Sequence, residues 1–207
     1  MKQAKDYLDD ISEIRQIMER SSNFISLSGM SGIMAGIYAL IGSFVAYRIV
    51  YFERSVLGIR EVYINEDATI TKLAVIALVV LVLAIGTGVY LTAKKSGQNP
   101  MNLSNAGFRN LMLSLAIPLI TGAFFIFILV SRGFYSIVAP SFLIFYGLAL
   151  VNGSKYTLRD IRYLGLIEII LGLVCALLPG YGVIFWATGF GAMHILYGSI
   201  MYFKYER

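Results

Sequence analysis

The sequence has one cysteine and one histidine among 207 residues, and only 14% of its side chains are charged. A single cysteine, Cys175, excludes a disulfide framework and a cysteine-based metal site. One histidine falls short of the ligand sets that zinc sites use. The low charge accompanies 58% hydrophobic residues. This composition excludes an ordinary soluble domain and predicts a protein that crosses a membrane several times.

Motifs that carry enzyme chemistry are also absent from the sequence. It has no His-Glu-x-x-His, phosphate loop, dinucleotide fingerprint or nucleic-acid module. The run Gly29-Met30-Ser31-Gly32 matches the Gly-x-Ser-Gly motif of rhomboid proteases, but it opens the first apolar segment instead of lying on a fourth span. We therefore expect no catalysis, no cofactor, no bound metal and no nucleic-acid partner. The first twenty residues carry nine charged side chains, so we expect no secretory signal there.

Six charge-poor segments are long enough to cross a bilayer as helices, although the fifth is barely so, because one crossing needs about 20 residues. Lipid cannot satisfy open backbone groups, and no segment alternates as barrel strands do. The sequence therefore predicts an all-α membrane protein with six transmembrane helices near 25–47, 73–93, 110–131, 133–152, 163–178 and 183–203.

Lysine and arginine residues are distributed unevenly between the two sides of these spans. The side that carries both termini would hold twelve of them, and the other side five. Because cytoplasmic segments carry the excess of these residues, both termini are expected in the cytoplasm. The basic residues lie in separate loops, so membrane topology explains the isoelectric point of about 9.3.

Residues 1–22 are predicted to form an amphipathic helix that precedes a six-span domain over 23–207. Apolar residues recur there at three- and four-residue spacing, at Ala4, Tyr7, Ile11, Ile14 and Met18. The acids outnumber the bases, so this helix is not the polybasic type that anionic lipid attracts. We expect it to pack on the bundle, with docking of a protein partner as the alternative. The outer loop over 53–69 is interpreted as a solvated connector, and a binding loop is its alternative.

The spans show signs of an internal repeat. The distance from Gly122 to Gly147 is 25 residues, and that from Gly172 to Gly198 is 26. Odd-numbered spans share a glycine inside an apolar run, and the fourth and sixth spans share a Tyr-Gly pair, at Tyr146-Gly147 and Tyr197-Gly198. The pattern predicts three tandem hairpins, each entering from the cytoplasmic side.

The last hairpin joins a glycine-containing apolar span, the turn Leu177-Leu178-Pro179 and a second span that closes on Tyr197-Gly198. In these features it resembles the hairpin unit of the HdeD-type small bacterial membrane proteins, over about forty residues. The resemblance implies a multi-pass protein of the bacterial inner membrane with a link to acid and stress resistance. The chain is also similar to uncharacterised bacterial six-span membrane proteins, and that likeness implies no function.

Glu168 and His194 are the candidate site residues. Both lie in apolar spans, where an ionisable group costs about 2.5–3.5 kcal/mol and usually has a partner or a function. Counted from a turn between Gly180 and Tyr181, each lies about 19–20 Å along its helix at ~1.5 Å per residue. The two side chains are therefore predicted to meet at the same depth on neighbouring antiparallel helices.

Glycines flank both residues with identical spacing, as Gly165-x-x-Glu168-x-x-x-Gly172 and Gly191-x-x-His194-x-x-x-Gly198. Positions i, i+3 and i+7 share one helical face, and small residues let membrane helices approach closely. We expect these four glycines to bring the two helices together. Ser28, Gly32 and Gly36 form a similar stripe on the first span, which could serve packing or a homo-oligomer.

Three interpretations of the pair stay open. Glu168 and His194 could satisfy each other or nearby hydroxyls, including that of Tyr197, and so lock the hairpin. They could instead bind or relay protons, because histidine gains and loses a proton near neutrality. A metal site is the third interpretation.

Two function hypotheses follow. In the first, the protein passes or senses protons or a small polar solute through the pair. In the second, it is a non-transporting membrane module that binds or stabilises a protein partner. Pro118 and Pro140 are expected to kink the third and fourth spans. Broken helices of this kind form substrate sites in transporters.

Overall fold

The computed structural model describes residues 28–52, 67–96 and 106–207. The predicted helix over 1–22 and most of the outer loop over 53–69 lie outside the described residues. Within the described ranges the regular structure is helical, and no strand occurs. Apolar composition and the need to satisfy backbone groups within each segment favour this outcome.

Seven α-helices follow one another along the described chain. They are α1 Gly29–Tyr47, α2 Asp67–Ser96, α3 Ala106–Ser131, α4 Val138–Gly153, α5 Asp160–Leu177, α6 Gly182–Trp186 and α7 His194–Tyr205. A π-helical turn over Arg48–Phe52 extends α1, and a longer π-helical segment over Ala187–Met193 joins α6 to α7. Short 3₁₀ turns over Tyr135–Ile137 and Ser154–Tyr156 flank α4.

Five of these helical stretches are long and apolar enough to cross a membrane. They are Gly29–Val50, Ala68–Lys94, Gly107–Ser131, Tyr135–Tyr156 and Gly182–Tyr205. Helix α5, on the fifth predicted span, is not among the five, because its 18 residues include Asp160, Arg162 and Glu168. The all-helical, multi-pass character is therefore confirmed for the residues that the structure describes, whereas six crossings stay a prediction.

The two prolines lie at different positions in their helices. Pro118 lies inside α3, which continues on both sides of it. Pro140 is the third residue of α4 and is buried, so it lies in the first turn of that helix, just after the 3₁₀ turn over Tyr135–Ile137. The first turn of a helix has no intrahelical use for the N–H that proline lacks. The kinks predicted at the two prolines stay predictions.

The turn between α5 and α6 lies where the sequence predicts it. Gly180 has a φ of 90°, a left-handed conformation that glycine adopts without steric cost. Gly133 has a φ of 77° and reverses the chain between α3 and α4 in the same way.

Two contacts between helices run through glycines. Helix α1 packs along α7 and the π-helical segment, and α4 packs along α5. A methyl group on Gly198 would lie 2.8 Å from the carbonyl oxygen of Gly29, and one on Gly165 would lie 2.7 Å from that of Gly147. The backbones therefore touch at these positions.

Helices α2 and α3 lie at the two ends of this arrangement. Helix α2 packs on α1, where the hydroxyl groups of Tyr38 and Thr87 lie 3.2 Å apart. Helix α3 packs on α4, where the Asn152 amide donates to the carbonyl of Ser114 over 2.9 Å. The most apolar stretch of α2 has no buried residue, as expected for a helix whose outer surface faces lipid.

Polar contacts tie three helix ends together. Lys204 Nζ at the end of α7 lies 2.8 Å from Asp160 Oδ2 at the start of α5, and the Tyr205 hydroxyl donates to the same oxygen. The Lys204 hydrogen bond lowers the pKa of Asp160. The Glu206 carboxylate accepts the N–H of Gly29 over 2.7 Å and so caps the start of α1. The starts of α1 and α5 therefore lie at the same end of the bundle as the end of α7.

Candidate functional site

Glu168 is fully buried in the middle of α5, with 0% of its surface exposed. It faces the π-helical segment, where Gly189 leaves room for its carboxyl group. A methyl group on Gly189 would collide with Glu168 Oε2 and would lie 2.6 Å from Leu143 Cδ2 of α4. Among the described residues, neither carboxyl oxygen of Glu168 has a hydrogen-bond partner. An ionised carboxylate in this position would lack every donor that normally compensates its loss of water.

His194 begins α7 and is nearly as buried, at 7% exposure. Its Nδ1 lies 3.6 Å from Glu168 Oε1. The structure therefore brings together the two residues that the spacing from the turn predicts to meet. That distance exceeds the usual length of a hydrogen bond, so the pair is close without being bonded.

The hydrogen bonds of His194 go to other groups. Its Nδ1 lies 3.0 Å from the carbonyl oxygen of Gly189, and its Nε2 lies 2.7 Å from the hydroxyl of Tyr146 on α4. Gly189 is five residues before His194, which is the spacing of a π-helical hydrogen bond. The π-helical segment thus offers the imidazole a carbonyl of its own helix.

Aromatic rings surround the imidazole. Trp186, Phe190 and His194 recur every four residues and lie along one face, with ring centroids 5.2 Å and 5.9 Å apart in turn. The Tyr146 ring lies 5.0 Å from that of Phe190 and 5.3 Å from that of His194. These rings limit the access of water and keep the pair in a medium of low polarity.

The sequence misses Tyr146 and proposes Tyr197 instead. Both tyrosines pack against an apolar cluster that includes Leu158, Leu164 and Met201, but it is the hydroxyl of Tyr146 that contacts His194. Tyr146 and Tyr197 hold equivalent places in the predicted repeat, each directly before a glycine. The repeat could therefore have identified Tyr146 as a second candidate. Gly189 was also missed, because a single glycine among many carries no signal of its own.

The predicted packing glycines all lie at close helix contacts, but their partners differ from those expected. Gly165 and Gly172 pack on α4. Gly191 and Gly198 pack on α1, where Gly36 and Gly32 lie opposite them. The prediction that these stripes draw α5 and α7 together is therefore wrong. Each stripe faces a helix outside the last hairpin, and Gly189 provides the space between Glu168 and the π-helical segment.

Other polar groups near the pair are bonded within their own helices. Ser199 Oγ donates to Ile195 O over 2.7 Å, and Thr188 Oγ1 donates to Ile184 O over 2.9 Å. Ser31, in the protease-like motif, donates to the carbonyl of Ser28 over 2.6 Å. Within the described ranges, no group of three or more His, Cys, Asp or Glu residues is placed to hold a metal ion.

The described fold and site define an all-helical, multi-pass membrane protein with a buried carboxyl–imidazole pair. No protein-family model, no curated protein and no solved structure matches the chain. The resemblance of the last hairpin to HdeD-type proteins stays a prediction that rests on its residues.

Proposed function

We propose that the protein is a six-span protein of the bacterial inner membrane that passes protons through the buried pair of Glu168 and His194. One observation carries the proposal. Glu168 is fully buried, 3.6 Å from an imidazole, and lacks a hydrogen bond from any described residue. A carboxyl group in such a place is stable when it carries a proton and costly when it does not.

The geometry argues against a purely structural clasp. A clasp predicts that Glu168 and His194 hydrogen-bond each other or nearby hydroxyls. His194 does bond the hydroxyl of Tyr146, as well as the carbonyl of Gly189. Glu168, however, has no hydrogen bond from any described residue, and the hydroxyls of Thr188 and Ser199 donate to their own helices. Glu168 would then contribute a desolvation cost with no compensating bond. Such a cost is typical of groups that are retained for function.

The proton is favoured over a larger polar solute. A solute path needs polar side chains from several helices around one space. Outside the last predicted hairpin, which contains Glu168 and His194, the sequence offers few polar side chains. Among them, Thr121 donates to Ile117 O and Ser141 donates to Ile137 O, each within its own helix. Proton relays in membranes are built from a few carboxyl and imidazole groups, which is the chemistry of this pair.

This scarcity of polar groups also favours the alternative function, a non-transporting module that binds or stabilises a protein partner. In that case the glycine contacts would serve as a rigid frame, and the predicted helix over 1–22 would contact the partner.

The deciding experiment measures proton flux in proteoliposomes that contain a pH-sensitive dye. It is run at about pH 5.5 and about pH 7.5, on either side of the ordinary pKa of a histidine side chain. Wild type is compared with Glu168→Gln and His194→Gln. Asp160→Asn serves as the control, because it removes a carboxylate at the helix ends and leaves the pair intact. We expect flux in wild type and in the control, and a loss of at least about tenfold in Glu168→Gln, which cannot hold the proton.

Flux that persists in Glu168→Gln would overturn the proposal. Absence of flux in wild type at both pH values, with both pair variants less heat-stable, would also overturn it. That second outcome would support the alternative function and a structural role for the pair.

A further inference from the structure

The hydrogen bonds of His194 determine which of its nitrogens carries a proton. A carbonyl oxygen only accepts, so the 3.0 Å contact between Nδ1 and Gly189 O requires a proton on Nδ1. In the neutral ring Nε2 is then a bare acceptor, and the Tyr146 hydroxyl donates to it over 2.7 Å. All three groups are satisfied in this one arrangement.

A second proton on the ring would break that arrangement. A protonated Nε2 would donate to the Tyr146 oxygen, and the hydroxyl hydrogen of Tyr146 would have to leave its acceptor. The bond to His194 is the hydrogen bond that the structure gives this hydroxyl. The Tyr146 ring packs against Phe190 and His194, so losing this bond would leave a polar hydrogen beside aromatic rings.

Few other ionisable groups face the ring. Helix α4 contributes Tyr146 and α5 contributes Glu168. The π-helical segment packs beside them with Gly189 and Phe190, neither of which is ionisable. On the other side of that segment, Gly36 and Leu40 of α1 contact Gly191 and Ile195, and none of these is ionisable. The state of the imidazole therefore depends on Tyr146 and Glu168 within the described part of the chain.

We infer that Tyr146 is a positioning residue that keeps Nε2 of His194 unprotonated and so holds the ring as a fixed Nδ1–H donor beside Glu168. This inference rests on the proposed proton function. When Glu168 releases its proton to a water molecule, the O–H bond breaks, its electron pair stays on the carboxylate and the water becomes hydronium. The Nδ1–H bond stays intact, and its hydrogen bond switches from Gly189 O to Glu168 Oε1. The switch needs the Nδ1–Oε1 distance to shorten from 3.6 Å to about 3 Å.

This assignment gives Glu168, His194 and Tyr146 different roles. Glu168 holds the transferable proton, and His194 supplies the hydrogen bond that stabilises the carboxylate after release. Tyr146 keeps the incoming proton off the ring. In a medium of low polarity, a hydrogen bond to a charged group is stronger than one between neutral groups.

The test uses the fact that the chain has a single histidine. Nitrogen-15 NMR of histidine-labelled protein in bilayers reports each ring nitrogen as protonated or bare. In wild type we expect a protonated Nδ1 and a bare Nε2 over a wide pH range. In Tyr146→Phe, Nε2 should carry a proton in a larger fraction of molecules at a given pH than in wild type, either by a change of tautomer or by formation of the imidazolium.

Tyr197→Phe is the matched control, because Tyr197 occupies the equivalent place in the repeat and packs against the same apolar cluster as Tyr146, whereas the hydroxyl that contacts His194 is that of Tyr146. It should give the wild-type spectrum. A protonated Nε2 in neutral wild-type protein would overturn the inference, even if Tyr146→Phe failed to fold. An unchanged Nε2 signal in Tyr146→Phe across the pH series would also overturn it. The NMR result does not depend on flux, so the proposed function and this assignment can fail separately.

Discussion

Gly189 decides whether a glutamate can occupy the middle of α5. Its missing side chain provides the space that the Glu168 carboxyl group fills. The same residue supplies the carbonyl that binds His194. One glycine therefore places both members of the pair, through space on one side and through a hydrogen bond on the other.

We expect Gly189→Ala to destabilise the protein by about 1–3 kcal/mol, because the added methyl group overpacks a filled site. In a Glu168→Ala background the same change should cost less, since the carboxyl group is no longer in the way. Thermal unfolding of the four proteins of this double-mutant cycle in detergent checks the prediction. Gly88→Ala, where a methyl group meets nothing within 4 Å, controls for glycine loss itself. Fully additive costs would contradict the assigned contact.

At the residue scale, the sequence predicts the pair and not its surroundings. Glu168 and His194 are found by counting residues from a glycine turn, because rise per residue is regular in helices. The partner from α4 is a long-range contact between separate hairpins. Spacing within one hairpin carries no information about it, so Tyr197 was chosen where Tyr146 makes the bond.

At the scale of elements, the π-helical segment lets one stretch of chain contact both Glu168 and α1. Its start presents Gly189 to Glu168, whereas Gly191 and Gly198 face α1. A π-helical turn takes in more residues than an α-helical turn, and it shifts the phase of the residues that follow. Amino-acid pattern alone predicts a regular helix over 183–203, since no proline marks the segment.

The glycine contacts between helices give the next prediction. Gly198→Ala would place a methyl group 2.6 Å from the backbone nitrogen of Ile33, so α1 and α7 would have to separate. We expect a loss of about 1–3 kcal/mol and a lower unfolding temperature. Gly86→Ala on α2 meets nothing within 4 Å and should be neutral or slightly stabilising. Equal effects of the two changes on thermal unfolding would contradict the packing role of Gly198.

At the scale of the whole molecule, the helices pack in an order that the predicted hairpins do not capture. Consecutive helices α1 and α2 pack together, as do α3 and α4. The last helix, however, packs mainly on the first, and α5 packs mainly on α4. Helix existence follows from local composition and is predicted well. Partner choice depends on which glycine faces coincide in space, so sequence spacing cannot supply it.

The contacts of Lys204 and Glu206 place the start of α1, the start of α5 and the end of α7 at one end of the bundle. We expect this end to face the cytoplasm and the turn at Gly180 to lie on the opposite, non-cytoplasmic side of the membrane. Single cysteines at Tyr181 and Arg207, in a Cys175→Ala background, test this with a membrane-impermeant maleimide on intact cells. Tyr181→Cys should react, and Arg207→Cys should react only after the membrane is opened. The reverse pattern would invert the proposed topology.

The contacting glycine backbones also constrain how this sequence can change over evolutionary time. Gly147 and Gly165 each lie against the carbonyl oxygen of the other, and so do Gly29 and Gly198. Every replacement of glycine adds atoms, and the residue opposite has no side chain to shorten in response. A second-site substitution therefore cannot compensate at the contact itself. Changes there must be tolerated by movement of whole helices, which would alter the space that Glu168 and His194 share.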